Sequence, residues 1–245
     1  MIILKDVTKK HRFGRLERKV FDNVSVTIPT DRRVAVLGVP GSGKSTLIYL
    51  LAGVDRPTSG VIERHRRLSF PVGYSKPIKS NLSMRQNAMF AARIYDADPA
   101  EVANFVEAAT GLSALFDEPI RKLPNQVRQT FLYALSYALP FDTYLIDGPV
   151  THGLPAFRPK GLAMFESRAE TSGIIMSARN VRQARQLCEM GLVIDGGKIQ
   201  VFEELEDAID AYETLQHRFE MHRDANSMAD YLDMRVEEDE EEDAE

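Results

Sequence analysis

One short stretch constrains this chain more than any other. Gly38-Val39-Pro40-Gly41-Ser42-Gly43-Lys44-Ser45 follows the spacing G-x-x-x-x-G-K-[ST], and Thr46 comes next. At average glycine content the pattern arises by chance in roughly one chain of this length in a hundred, so its surroundings have to decide. An apolar run, Val34-Ala35-Val36-Leu37, precedes it, and Leu47, Ile48, Leu50 and Leu51 follow at helical spacing. A buried strand, a glycine turn and a helix is the context in which this spacing binds phosphate. Gly38, Gly41 and Gly43, with Pro40 and Ser42 between them, let successive N–H groups turn inward as an anion cradle. The helix start adds its partial positive charge. Lys44 supplies a mobile cation for the outer phosphates, and Ser45 offers a hydroxyl to Mg²⁺. The alternative is a glycine-rich turn carrying a chance lysine.

The rest of the chain is read around that turn. Residues 2–7 and 20–29 read as strands, the second with Val24, Val26 and Ile28 on one face, and His11–Lys19 between them as a polar loop. Val61–Ile62 and Leu68–Tyr74 are further strand candidates. Residues 83–139 read as mostly helical. Ser83 can cap a first helix. Asp98-Pro99-Ala100-Glu101 has the form of a capping box with proline at the first helical position, and that helix stops at Gly111. Val127, Phe131, Ala134, Leu135 and Ala138 share a third helix. Buried-type strands return at Tyr144–Ile146 and Gly173–Met176. Leu192–Ile194 and Lys198–Phe202 flank the hairpin turn Asp195-Gly196-Gly197, and a helix is expected from Glu203 to about Met234. Strands, a helical insertion, then strands alternating with helices imply an α/β core with a mostly parallel sheet and a helical lobe.

Composition removes several classes. The chain has 245 residues and a net charge of −5, but eight of the nine residues from Glu237 to Glu245 are acidic. Without that tail, 31 basic residues face 28 acidic ones, so the body is near neutral. The cluster Arg64-His65-Arg66-Arg67 is local and has no aromatic interleaving, which argues for a solvated turn and against nucleic acid as a partner. One cysteine, Cys188, excludes an internal disulfide framework and fits a reducing, intracellular setting. No apolar run reaches the ~18–20 residues of a membrane-spanning helix, and the start of the chain lacks a signal-peptide layout.

A second acidic site completes the phosphate loop. Tyr144-Leu145-Ile146-Asp147 ends a buried strand in a carboxylate, where phosphate-loop proteins place an acid linked to Mg²⁺. Taken alone, an apolar run followed by Asp can be a plain strand end or a helix cap. The long interval between Lys44 and Asp147, filled by the helical insertion, argues against small kinases and GTPases.

With these residues in view, the chain resembles the nucleotide-binding subunits of ABC transporters, and among them the ATP-binding component of capsular-polysaccharide exporters. Four stretches carry the likeness over residues 1 to about 215: Gly38–Thr46; Asp55-Arg56-Pro57-Thr58-Ser59-Gly60; Asn87 to Tyr95; and Phe141-Asp142-Thr143-Tyr144-Leu145-Ile146-Asp147. The resemblance implies a P-loop NTPase of α/β class, an ABC-type nucleotide-binding domain with a mostly parallel sheet, an antiparallel β subdomain and an inserted helical lobe. It implies an ATP-binding domain over 1–215 with the lobe at about 75–139, a C-terminal helix over 216–236, and a disordered acidic tail over 237–245. ATP and Mg²⁺ are the implied cofactors, with Ser45 and Asp147 at the metal. His11 is the counted match for the residue that stacks on adenine, with Phe13 as the neighbouring alternative and an exposed basic loop as the plain reading of both. The implied partners are an integral-membrane permease and a second ATP-binding subunit, in a homodimer or a heterodimer. The implied location is peripheral, on the cytoplasmic face of a bacterial inner membrane.

The chain departs from that family where hydrolysis is carried out. The signature motif falls on Leu123-Pro124-Asn125-Gln126-Val127, which lacks the serine and the glycines. Pro124 has no N–H to donate and reads equally as a helix start. Gly148 stands where the family has the glutamate that orients the attacking water, and Ala178 where it has the switch histidine. Lys79 takes the place of the Q-loop glutamine, and Leu154 or a neighbour that of the D-loop aspartate. His152 lies near the lost positions, as a loop histidine or as a displaced switch. No catalytic residue is assigned. Two readings follow: a transport ATPase subunit for capsular or related polysaccharide, or a non-hydrolysing regulatory or scaffold subunit that binds ATP beside a competent one.

Overall fold

The computed structural model describes residues 1–13, 16–76 and 78–221. Its chain begins with strands β1 (Ile2–Phe13) and β2 (Leu16–Ile28), followed by β3 (Arg33–Leu37), helix α1 (Lys44–Leu51) and strand β4 (Ser59–Arg64). Helices α2 (Met84–Ile94), α3 (Pro99–Thr110) and α4 (Asn125–Ala138) form the lobe. Then come β5 (Thr143–Asp147), α5 (Arg158–Thr171), β6 (Gly173–Ser177), α6 (Val181–Leu187), β7 (Met190–Asp195) and β8 (Lys198–Phe202). A further helix, α7, covers residues 205–221. The helix expected over 216–236 is described only up to residue 221, and the expected tail lies outside the described residues.

Two sheets sandwich α1. One is antiparallel, in the order β2-β1-β4. The other runs β5-β6-β3-β7-β8, parallel except for the β7–β8 hairpin. The periodicity of α1 explains the sandwich. Leu47, Ile48, Leu50 and Leu51 are all buried, so this helix is apolar on both sides. It packs on Ile2, Leu4, Phe21 and Val24 of the antiparallel sheet and on Val34, Val36, Leu145 and Ile175 of the parallel one. Burying side chains of this size stabilises by about 1.5–3 kcal/mol each. The other face of the parallel sheet joins the lobe in a second core around Phe131, Leu135, Tyr137 and Tyr144.

Three local expectations are corrected. His11–Lys19 is not a loop, because β1 and β2 continue as a long hairpin with His11 opposite Arg18 and Arg12 opposite Glu17. Its charges had suggested a loop, but they pair across the exposed ribbon, Lys10 with Glu17 at 2.7 Å and Arg12 with Glu17 at 3.4 Å. Leu68–Tyr74 runs beside β5 without becoming a regular strand. Ser69 N donates to Thr143 O at 2.9 Å and Val72 N to Leu145 O at 2.8 Å, while Pro71 has no N–H to extend the ladder. Arg64, expected in a solvated turn, donates from Nε to Leu51 O at 2.7 Å and from Nη2 to Leu50 O at 2.6 Å. It thereby closes the carbonyl end of α1, where a cation is favoured.

The lobe follows its caps. Ser83 Oγ accepts from Gln86 N at 3.2 Å while Gln86 Oε1 accepts from Ser83 N at 3.0 Å, a reciprocal capping box. Asp98 accepts from Glu101 N at 2.7 Å, and α3 ends on Gly111 at φ +67°. Buried Asn87 binds the carbonyls of Lys79, Leu82 and Ser83 and fastens the segment leading into α2.

Candidate nucleotide site

The site lies where β3, β5 and β6 end, beside the start of α1. Backbone geometry explains the glycines. Gly38, Gly41 and Gly43 have φ of +157°, +78° and +108°. The last two lie where L side chains are strained. A Cβ at Gly43 would stand 2.5 Å from Val20 Cγ1, so glycine is also what lets β2 approach the loop. Gly43 caps α1 without any side-chain bond. The first-turn amides of a helix have no partner inside it, and here they open onto a cavity of about 240 Å³ lined by His11, Arg18, Val20, Gly41, Gly43, Lys44, Ser45 and Thr46.

Lys44 curls back over its own loop. Its ammonium donates to Gly38 O at 2.5 Å and Val39 O at 3.1 Å. Burial lowers its pKa below the ordinary lysine value, partly opposed by the carboxylate of Asp147. A polyphosphate in the cradle would meet a cation already held by carbonyls. The open glycine cradle and this cation fit a polyphosphate.

Asp147 is half-buried at the end of β5 and gathers two serine hydroxyls. Ser45 Oγ donates to its Oδ1 at 3.0 Å and Ser177 Oγ at 2.6 Å. The register of β5 and β6 sets Asp147 directly beside Ser177, and Ser177 Oγ accepts in turn from Gly148 N at 3.1 Å. Tyr49 lies one turn after Ser45 on α1. Its pKa is raised by burial and by the nearby carboxylate of Asp147. Its ring meets that of Tyr74 at 5.8 Å. A carboxylate and a serine hydroxyl are the hard oxygen ligands that Mg²⁺ takes, so the pair fits the expected metal.

Sequence reasoning singled out neither Tyr49, Ser177 nor Arg18. Tyr49 is detectable as the i+4 neighbour of Ser45, and Ser177 as the last residue of the strand beside Asp147. Arg18 was hidden because its segment read as a loop.

The remaining expected residues are placed as follows. His11 Nε2 is 3.2 Å from Thr46 Oγ1, on the cavity wall. The side chain of Phe13 lies outside the described residues. Pro124 caps α4 at φ −57° and ψ 152°, and Asn125 begins the helix. Gly148 follows Asp147 at φ +103° with open space around it. Ala178 is buried and donates its N–H to Val36 O at 3.2 Å. Lys79 is exposed and its N–H donates to Asn87 Oδ1, in the segment before α2. Leu154 N donates to Thr130 Oγ1 at 2.8 Å. His152 is exposed, with its ring stacked on Tyr133 at 6.3 Å.

Residues 21–131 match the family described as ABC transporter. The chain is 31% identical over 219 residues to the polysialic acid transport ATP-binding protein KpsT of Escherichia coli, covering 88% of this chain and 98% of that one. The chain belongs to the ABC transporter family of ATP-binding proteins. BexA, an ATP-binding protein of Haemophilus influenzae, is 32% identical over 217 residues, 88% of this chain and all of its own. The capsule polysaccharide export ATP-binding protein CtrD of Neisseria meningitidis is 32% identical over 216 residues, with the same shares. Solved structures agree on the ABC ATPase fold. The ATP-binding subunit of an ABC transporter superposes with a TM-score of 0.68 at 20% identity, covering 88% of this chain and 94% of that one. The ATP-binding cassette MJ0796, a dimer bound to ADP and Pi, gives 0.65 at 18% identity, covering 84% and 99%. The α/β core with its antiparallel sheet and inserted helices is thus the ABC form of the phosphate-loop fold. Among the described residues, no helix is long and apolar enough to cross a membrane.

Proposed function

We propose that this ABC subunit binds Mg²⁺-ATP in the loop Gly38–Thr46 and drives or gates a membrane permease that exports a capsular or related polysaccharide. One observation carries the reading: the glycine cradle, the carbonyl-held ammonium of Lys44 and the Ser45–Asp147 pair converge at the start of α1. In this reading Lys44 and the loop amides hold the phosphates, Ser45 and Asp147 hold the metal, and His11 lies against adenine. Bound Mg²⁺ would screen the charge of the outer phosphates. The polysaccharide as cargo rests on likeness to proteins named for polysialic acid transport and capsule export over nearly their whole length. That likeness also weighs against a non-hydrolysing regulatory or scaffold subunit paired with a competent ATPase.

The working unit is residues 1–215, with the lobe at about 75–139 facing the permease. The chain pairs with a second ATP-binding subunit and is held by the permease at the cytoplasmic face of the inner membrane. Hydrolysis by the isolated chain is slow. A positioned general base is worth ~10²–10⁴ in rate, and Gly148 offers none. The deciding experiment is ATP binding and turnover by the purified chain, alone and with its co-expressed permease. Tight Mg²⁺-dependent binding with slow turnover supports the reading. Absence of ATP binding in both preparations overturns it.

A further inference from the structure

We propose that Arg18 is a second phosphate-binding cation, carried on the antiparallel sheet, which leaves the carbonyl of Gly41 for the phosphate oxygens of a bound nucleoside di- or triphosphate. The inference rests on the phosphate-loop reading and adds to it a residue from outside the loop. Arg18 Nη2 donates to Gly41 O at 2.9 Å, at the outer lip of the cradle. The residue stands directly opposite His11 in the β1–β2 register, and directly opposed residues project from the same face of a ribbon. That face lies over the start of α1: His11 reaches Thr46 Oγ1 at 3.2 Å and Arg18 reaches Gly41.

The charges along the hairpin isolate Arg18. Lys10 and Arg12 share Glu17, and Lys19 pairs with Asp22 at 2.9 Å. Among the described residues, Arg18 has no carboxylate within ion-pair distance, and its one bond is to a backbone carbonyl. An exposed arginine with a neutral acceptor keeps its charge available to an anion. Arg18 also separates two cavities. One is the phosphate cavity of about 240 Å³ with Lys44, Ser45 and Thr46. The other, of about 280 Å³, is lined by Val39, Pro40, Ser42 and the turn Asp195–Gly197. A short swing of the guanidinium thus moves it from the lip to the phosphates, where its planar fork suits paired oxygens. Lys44 would grip the phosphates from within the loop and Arg18 from the ribbon, so that the nucleotide ties the antiparallel sheet to the loop.

The test is ATP and adenosine affinity of the full chain, measured by competition against a fluorescent ATP analogue, for wild type, Arg18→Ala, Arg18→Lys and Lys44→Ala. A charge-assisted bond at a solvent-facing site predicts ATP binding weakened by roughly 3–10-fold in Arg18→Ala. Arg18→Lys should fall between it and wild type. The difference should shrink as salt is raised, adenosine affinity should be the same in all, and the thermal midpoint of Arg18→Ala should match wild type. If Lys44→Ala loses ATP while Arg18→Ala equals wild type at low salt, this proposal fails and the loop reading stands. Equal weakening of adenosine and ATP in Arg18→Ala also overturns it. A wild-type chain that binds no ATP overturns the loop reading itself.

Discussion

Asp147 and Gly148 are neighbours at the end of one buried strand, yet they differ in what they can do. Asp147 is fastened by Ser45 and Ser177 and faces the phosphate loop. Gly148 has only its backbone, at φ +103°, with empty space where a side chain would go. The same contrast recurs across the site. The cradle from Gly38 to Thr46 is complete in sequence and geometry, while Ala178 and Pro124, the counted matches for the switch histidine and the signature serine, offer no polar side chain. The lesson concerns cost. Parallel strands and helix starts are held by the core and survive loss of chemistry at their tips. A carboxylate or an imidazole at such tips contributes little to folding, so on the proposed reading it can be absent from a folded chain. On the proposed reading binding and cleavage are separable, and the largest expected effect tests that separation. Turnover should lie ~10²–10⁴ below that of an enzyme with a positioned base. Gly148→Glu alone should leave most of the deficit, since φ +103° strains any L residue and Ala178 still offers no imidazole. Phosphate release measured on both proteins decides it. Ordinary turnover of ~10 s⁻¹ by the wild-type chain would break the comparison.

The binding half should respond in the opposite sense. On the proposed reading Lys44→Ala removes a charge-assisted contact to the phosphates, and it should weaken ATP by roughly 10–100-fold. With turnover as slow as proposed, it would have little further to fall. Titration of the two proteins with ATP and excess Mg²⁺ measures this. An unchanged affinity would mean that the cradle binds through its amides alone.

These outcomes bear on how much could be read from the residues. The α/β class, the lobe and the loop–Asp147 pair were legible because each rests on local rules: apolar periodicity, capping residues and the glycine pattern. The long hairpin was not. Lys10, Arg12, Glu17 and Arg18 look like a loop when counted as charges, and only their cross-strand pairing makes them a ribbon. The roles of Tyr49 and Ser177 were hidden for a related reason. Their placement beside Asp147 depends on packing between α1, β5 and β6, which spacing does not encode. Arg64 shows the same limit, since nothing in a basic run announces that one member closes a helix thirteen residues upstream.

A stability measurement sharpens the contrast between the two halves. Alanine at Gly43 meets both an unfavourable φ of +108° and Val20 at 2.5 Å, whereas alanine at Gly148 meets the φ cost alone. Backbone strain of this kind costs of order 1–3 kcal/mol. Gly43→Ala should therefore lie at or above the top of that range and Gly148→Ala near its foot, read from denaturant midpoints. Equal losses would mean that the hairpin yields freely above the loop and that close approach is not what the glycine protects.

The smallest effect concerns protons. Burial lowers the pKa of Lys44, with Asp147 opposing the shift only in part. A polyphosphate favours the charged amine and must raise that pKa in the complex. The contribution of Lys44 to ATP affinity is therefore full while the free chain still holds its ammonium. It declines as pH rises through the lowered pKa, because the proton must then be taken up on binding. Calorimetry in two buffers of different ionisation enthalpy should detect no uptake at Lys44 below that lowered pKa and a fraction of a proton on its alkaline side. In Lys44→Arg, where the guanidinium does not titrate in that window, the alkaline uptake should vanish. Release instead of uptake at alkaline pH would mean that the nucleotide displaces this ammonium from its carbonyls without engaging it, and that the phosphates are held by the amides and Mg²⁺ alone.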